Sequence, residues 1–160
     1  MSADPTLLTG LGAASSLFLC GGGASYATAH ASMFAMRHQD RMAMIPVIQA
    51  GVLAVYGVII GYLLTKKINA DAVMSVADGY KYLSAGLSVG LACLASGMGM
   101  ALYLTKLNEA EYFFVRKGQG ASPPSGEASK KGSYTTFILC LIYLEAIGLY
   151  GLIVALFLVS

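Results

Sequence analysis

Apolar residues neither alternate along this chain nor recur as short stripes. They fill four long windows separated by small clusters of charge. Between Asp4 and Arg37 lie 32 residues with no formal charge, His30 aside. Between Arg41 and Lys66 there are 24, between Lys81 and Lys106 another 24, and from Gly132 to Ser160 there are 29, interrupted only by Glu145. A bilayer-crossing helix needs about 20 apolar residues, so each window holds one span. The pattern predicts helices over 7–31, 44–65, 82–105 and 135–159. Inside lipid the backbone must satisfy its own polar groups, and a helix does this within one segment. The expected fold class is an all-α membrane protein with four transmembrane helices.

Composition sharpens this. Of 160 residues, 57% are hydrophobic and 11% charged, and the mean hydropathy is +0.70. Soluble domains carry roughly 25% charged residues, which argues against a soluble enzyme and against a disordered tail. A net charge of +2 is far too small for a nucleic-acid footprint. Nineteen glycines suit membrane helices that approach closely through small residues. The residues before the first window include an acid and no base, the wrong polarity for a cleaved signal peptide.

Lys and Arg counts orient the spans. The first connection (32–43) holds Arg37 and Arg41, and the third (106–134) holds Lys106, Arg116, Lys117, Lys130 and Lys131. The second holds Lys66, Lys67 and Lys81, and the termini hold none. The first and third connections share a side, and the positive-inside rule places them in the cytosol with both termini luminal. The Gly/Ser/Pro-rich part of the third connection, Gly118 to Gly132, reads as a flexible solvated loop.

The chain reads as a duplicated hairpin. Sliding the second span onto the fourth by 94 residues aligns Tyr56 with Tyr150, Gly57 with Gly151, Ile59 with Ile153 and Leu64 with Leu158. The first and third spans match at an offset near 76, where Gly21 and Gly23 face Gly97 and Gly99. This divides the chain into a first hairpin over 1–65, a luminal connection over 66–81, and a second hairpin over 82–160 with its cytosolic loop at 106–134. Two spans per half make the repeat parallel, unlike the inverted repeats of many secondary transporters. Gly21, Gly22, Gly23, Gly86 and Gly90 are candidate packing positions, suited to the tight inner face of a ring or to ordinary packing within one bundle.

Glu145 is the only acid or base well inside a span. Its helical neighbours Leu141, Ile142, Gly148 and Leu149 cannot neutralise it, and an ionised carboxylate at mid-bilayer costs several kcal/mol. Desolvation favours its protonated form until a cation arrives, which is the behaviour of a proton carrier. Interhelical glue is the competing role. The repeat places Gly51 opposite it, as if one of two ancestral carboxylates had been lost, and predicts that Gly51 packs near a helix interface. Tyr56 and Tyr150 are candidate supporting hydroxyls. Gln49, the one amide in the second span, reads as an interhelical hydrogen-bonding residue. Cys20, Cys93 and Cys140 sit in three different spans without metal-ligand spacing and read as free thiols. His30 is expected as a polar residue at a helix end, with a proton relay as the alternative. No metal or cofactor is expected.

Ile45-Pro46-Val47, Ala50-Gly51 and Val55-Tyr56-Gly57 in the second span, Ala85-Gly-Leu-Ser-Val-Gly-Leu91 in the third, and Leu144-Glu-Ala-Ile-Gly-Leu-Tyr-Gly-Leu-Ile-Val-Ala-Leu156 in the fourth carry a resemblance. The chain resembles the proteolipid c subunits, of c or c-prime type, of the vacuolar-type rotary proton ATPase. The resemblance implies a ring of such copies turning in a vacuolar, lysosomal or endosomal membrane against a stator subunit a that bears an Arg. It implies a central stalk and soluble catalytic subunits as further partners, and assigns the proton-carrying carboxylate to Glu145. Sodium-carrying relatives place Thr and Gln four and three residues before the second-span Tyr; here Val52 and Leu53 stand there. Departures from the family pattern are Ala27-Thr-Ala-His-Ala-Ser32 and the long third connection. The chain has no phosphate-binding loop of the Walker type, so ATP hydrolysis by that route is excluded. Two other classes remain open from the residues: a small independent four-helix proton-coupled transporter, and a structural tetraspan in which Glu145 only pairs helices.

Overall fold

The computed structural model describes residues 4–38, 41–70, 74–109 and 127–160, with side chains except at 70 and 127–134. These residues form α1 (Pro5–His38), α2 (Ile45–Ala70), α3 (Val76–Glu109) and α4 (Glu127–Val159), with a 3-10 turn over Arg41–Met44 leading into α2. Each helix holds a stretch long and apolar enough to cross a membrane: Pro5–His38, Arg41–Asn69, Val76–Glu109 and Thr135–Val159.

The helices outrun the apolar windows, and at the start of α3 the cause is a backbone cap. Ser75 caps α3: its hydroxyl accepts from the Asp78 N–H at 3.2 Å, while the Asp78 carboxylate accepts from the Ser75 N–H at 3.3 Å. This reciprocal capping box starts the helix six residues before the predicted 82. Pro46 falls in the first turn of α2, where its missing N–H costs nothing. The connection expected over 66–81 is therefore helical up to 70 and again from 76. The loop expected over 106–134 is helical at 106–109 and 127–134, and its remaining stretch, 110–126, lies outside the described residues.

Small residues set the packing. Gly12 of α1 lies against Gly86 of α3, and eleven residues further on Gly23 lies against Gly97. Eleven residues are about three turns, so one face of each helix meets the other along its length. Pro5 beside Gly79 at one end and His30 beside Thr105 at the other continue the register, so α1 and α3 run parallel. A Cβ on Gly23 would stand 2.6 Å from the Cys93 carbonyl oxygen, and one on Gly90 would stand 2.9 Å from Leu19 Cδ1. Gly21 and Gly22 behave differently. A Cβ on Gly21 meets nothing within 4 Å and one on Gly22 only grazes Leu94 at 3.9 Å, so neither packs tightly within the chain.

On this pair α2 lies against α1 and α4 against α3, with α2 also touching α3 and α4. The backbones of α1 and α4 lie diagonally apart among the described residues, and the two helices meet through the stacked rings of Phe34 and Phe137, 5.7 Å apart. The outer helices also rest on glycines: Gly57 sits against Ser16 and Cys20, and Gly151 against Ala92 and Ser88. Shifted by the repeat offsets of 94 and 76, the Gly57–Ser16 pair falls on Gly151–Ala92. Large apolar side chains such as Phe18, Tyr62, Ile48 and Phe157 point outward, as lipid or other subunits require.

An added methyl at Gly86 or Gly97 runs into the facing glycine's backbone, which cannot swing aside. Gly86→Ala and Gly97→Ala are each expected to cost about 1–3 kcal/mol, the range for overpacking. Gly10→Ala and Gly21→Ala, with open space around them, are expected to stay within about 0.5 kcal/mol. Denaturation of the detergent-solubilised protein measures both. Equal losses at Gly21 and Gly86 would contradict this packing.

Candidate functional site

Glu145 is the eleventh residue of the 25-residue span Thr135–Val159, close to its middle. On α4 the buried positions Leu141, Gly148 and Ala155 recur every seven residues and face the bundle. Gly148 is pressed against Leu53 of α2, with Cys93 and Ser96 of α3 nearby. One turn back, the Ser96 hydroxyl donates to the Leu144 carbonyl oxygen and fixes α4 on α3 beside the acid. Glu145, half-buried, thereby turns toward α2.

Two donors from α2 meet it. Gln49 Nε2 lies 2.9 Å from Glu145 Oε2, and the Tyr56 hydroxyl lies 3.5 Å from Oε1. Gln49 and Tyr56 are seven residues apart, about two turns, so they share a face and bracket the carboxyl along the α2 axis. Between them lie Val52 and the fully buried Leu53. The site falls where one apolar cluster, around Leu141, Phe137 and Ala50, gives way to another, around Leu53, Tyr56 and Ala155. It is a thin polar layer between two apolar clusters. No group of three His, Cys, Asp or Glu suited to a metal occurs among the described residues.

The structure brings together only part of the predicted set. Tyr56 is 8% exposed and points at the acid, whereas Tyr150 is 64% exposed on the outer face of α4, away from that cluster. Gly51 is also on the surface, and a Cβ there meets nothing within 4 Å, so the helix interface expected around it does not form within one chain. The reason is angular: Gly51 is two residues from Gln49, about 200° around a helix of 3.6 residues per turn. His30 is not at a helix end, because α1 continues to His38. It pairs with Thr105 at 3.1 Å and stands edge-on to Tyr26. The Thr105 hydroxyl donates to the Ala101 carbonyl, which leaves its oxygen to accept from His30 Nδ1. Cys20, Cys93 and Cys140 are free thiols. Gln49 was legible as a hydrogen-bonding residue but not as the acid's partner, and its seven-residue spacing from Tyr56 was the available signal. Ser96, a hydroxyl on the buried face of α3, carried no signal of its own.

The fold and this site define an integral membrane protein built around a single intramembrane carboxylate. The chain is 34% identical over 154 residues to the V-type proton ATPase 16 kDa proteolipid subunit c of Nephrops norvegicus, spanning 92% of this chain and 87% of that protein. The subunit of the same name from Homo sapiens is 34% identical over 154 residues, covering 92% and 88%. That from Ascaris suum is 34% identical over 155 residues, covering 92% and 86%. No protein-family model matches the chain. At that identity and coverage the chain belongs to the V-type proton ATPase proteolipid c subunit family.

At 3.5 Å the Tyr56 hydroxyl stands at the outer limit of hydrogen bonding, where attraction is weak. Tyr56→Phe is therefore expected to change the rate at which a lipid-soluble carbodiimide modifies Glu145 by no more than about twofold. Mass spectrometry of the labelled peptide reads this. A tenfold change would make the phenol a principal partner.

Proposed function

We propose that this chain is a proton-carrying rotor subunit in the membrane sector of a V-type ATPase. Family membership supports the coarser statement, a membrane subunit of a proton pump. The observation that carries the finer one is Glu145 itself: the only carboxyl group deep in a span, held near the middle of α4 between hydrogen-bond donors. Copies of the chain form a ring, with the closely packed α1 and α3 inside and α2 and α4 outside. Protonated Glu145 is neutral and can pass through lipid. At stator subunit a, an Arg and an aqueous path favour the carboxylate, and the proton leaves. Rotation carries the emptied site to a second aqueous path, where it reloads. ATP hydrolysis in soluble catalytic subunits, coupled through the central stalk, drives the turn, and the pump acidifies a vacuolar, lysosomal or endosomal lumen. The chain itself is not the catalyst.

The ion is a proton. The α2 positions that would offer oxygens beside the acid are Val52 and Leu53. The groups that reach the carboxyl, one amide and one phenol, satisfy a bare carboxylate through their N–H and O–H, and they offer too few oxygens to replace the water shell of a sodium ion.

The Gln49 bond to Glu145 also favours a second reading, in which the acid only ties α2 to α4. Glu145→Gln separates the two, because the amide keeps the volume and can still hydrogen-bond to Gln49 but cannot carry a proton. In membranes holding the assembled complex, Glu145→Gln is expected to abolish ATP-driven acidification with assembly retained. Glu145→Asp is expected to keep a fraction, and wild-type pumping to be indifferent to added Na⁺. Acidification by the Gln variant at the wild-type rate would leave only the structural role.

The first and third connections are cytosolic and both termini luminal, from the seven-to-three Lys and Arg balance. In a background with Cys20, Cys93 and Cys140 changed to Ala, Ser125→Cys is expected to react with an impermeant thiol reagent from the cytosolic side. Ser160→Cys is expected to react from the lumen. The opposite pattern would invert the topology.

A further inference from the structure

Gln49 is half-used. Its Nε2 donates to Glu145 Oε2 at 2.9 Å, yet its Oε1 is buried and accepts nothing. A buried acceptor without a donor is costly, and neither Val52 nor Leu53, the next residues on that face, can supply one. The acid itself can offer one, because it carries a proton in its neutral state. When Glu145 is ionised its oxygens need donors, and the amide N–H provides one. When Glu145 is protonated its O–H needs an acceptor, and a 180° rotation of the Gln49 amide brings Oε1 to that place. We propose that Gln49 is the two-state partner of the carrier, a positioning residue that hydrogen-bonds Glu145 in both protonation states, and the charged state more strongly. This inference rests on the proton-carrier reading of Glu145.

An apolar side chain at position 49 would leave the carboxylate with only the distant Tyr56 hydroxyl, so the charged form would lose more than the neutral one. The neighbourhood contains few other groups to mask the effect. α4 packs against α2 and α3. From α2 the titratable group facing Glu145 is Tyr56, and from α3 it is Cys93, beside Gly148. The charged residues of α2 and α3 stand near the helix ends, at Lys66 and Lys67, at Asp78 and Lys81, and at Lys106 and Glu109. Tyr143 and Tyr150, on α4 itself, are exposed and turned away.

Modification of Glu145 by a lipid-soluble carbodiimide requires the acid form, so its pH profile reads the protonation of the site. In membranes carrying the assembled complex, Gln49→Met, which matches Gln in length, is expected to move the midpoint of that profile upward by about one pH unit, a tenfold tighter hold on the proton. The low-pH plateau is expected to be unchanged, since folding and access are intact. Gln49→Asn keeps the amide but falls short of the carboxyl, and is expected to move the midpoint the same way. It also serves as the readout where the Met variant does not assemble. Tyr56→Phe is expected to move it little. A midpoint within a few tenths of wild type in the assembled variants, or a change in plateau alone, would overturn the role of Gln49. Failure of the carrier reading is separate: it would show as undiminished acidification by Glu145→Gln, whatever the labelling profile does.

Discussion

A carboxyl group in the middle of an apolar bundle must be served in whichever state it adopts. Charged, it needs donors, and neutral, it still has a hydroxyl to place. In this chain that demand falls on the contact between α2 and α4, and the rest of the architecture brings those two helices together. The contact depends on α1 and α3, whose glycines at 12, 23, 86 and 97 let the backbones touch. Because the inner pair is so slender, the outer helices that rest on it, through Gly57 and Gly151, come within reach of each other. Widening the inner pair by one methyl would therefore act on the Gln49–Glu145 bond from a distance, without touching either residue.

Much of this was legible in the residues. Charge-free windows revealed four spans because nothing but lipid or a buried interior tolerates 24 or more residues without a charge. Glu145 stood out for the same reason, as an exception to its window. Angular position was not legible. Glu145, Tyr56, Tyr150 and Gly51 all lie near mid-span, but only Tyr56 falls within reach of the acid inside one chain. A linear alignment that sets Gly51 opposite Glu145 does not say which way either residue faces. Among the glycines, runs such as Gly21-Gly-Gly23 offered three candidates, and helical geometry puts one of them on the inner face.

Helix ends were legible only in part. Hydropathy marks where a membrane could be, whereas the helix continues as long as its backbone groups find partners. Ser75-Val-Ala-Asp78 is a capping box readable from its spacing, and it moves the start of α3 away from the apolar boundary. His30 illustrates the same point from the other direction. Placed by hydropathy it belongs at a membrane edge, yet α1 carries it alongside Thr105, where it links the inner helices. It has no hydrogen bond to the Glu145 layer, so its departure from the family pattern bears on the α1–α3 contact rather than on the carboxyl.

The exposed face around Gly51 acquires a meaning once the chain is read as one member of a ring. Each α2 then has two neighbours from the outer layer: α4 of its own chain on one side, and α4 of the adjoining copy on the other. The first junction carries Gln49, Tyr56 and Glu145. Gly51 lies on a different face of α2, with open space where a Cβ would be. A duplicated ancestor with an acid in each half would have presented one carboxylate within the chain and one toward its neighbour. In the rotor proposed above, glycine in place of the second would halve the number of charges that pass the stator in each turn. It would also spare that junction an acid without an amide to receive it, since the 94-residue offset sets Tyr143 where Gln49 would be needed. Glu145 takes its amide partner from its own chain, so the geometry of the site comes with the fold and does not have to be assembled from two copies.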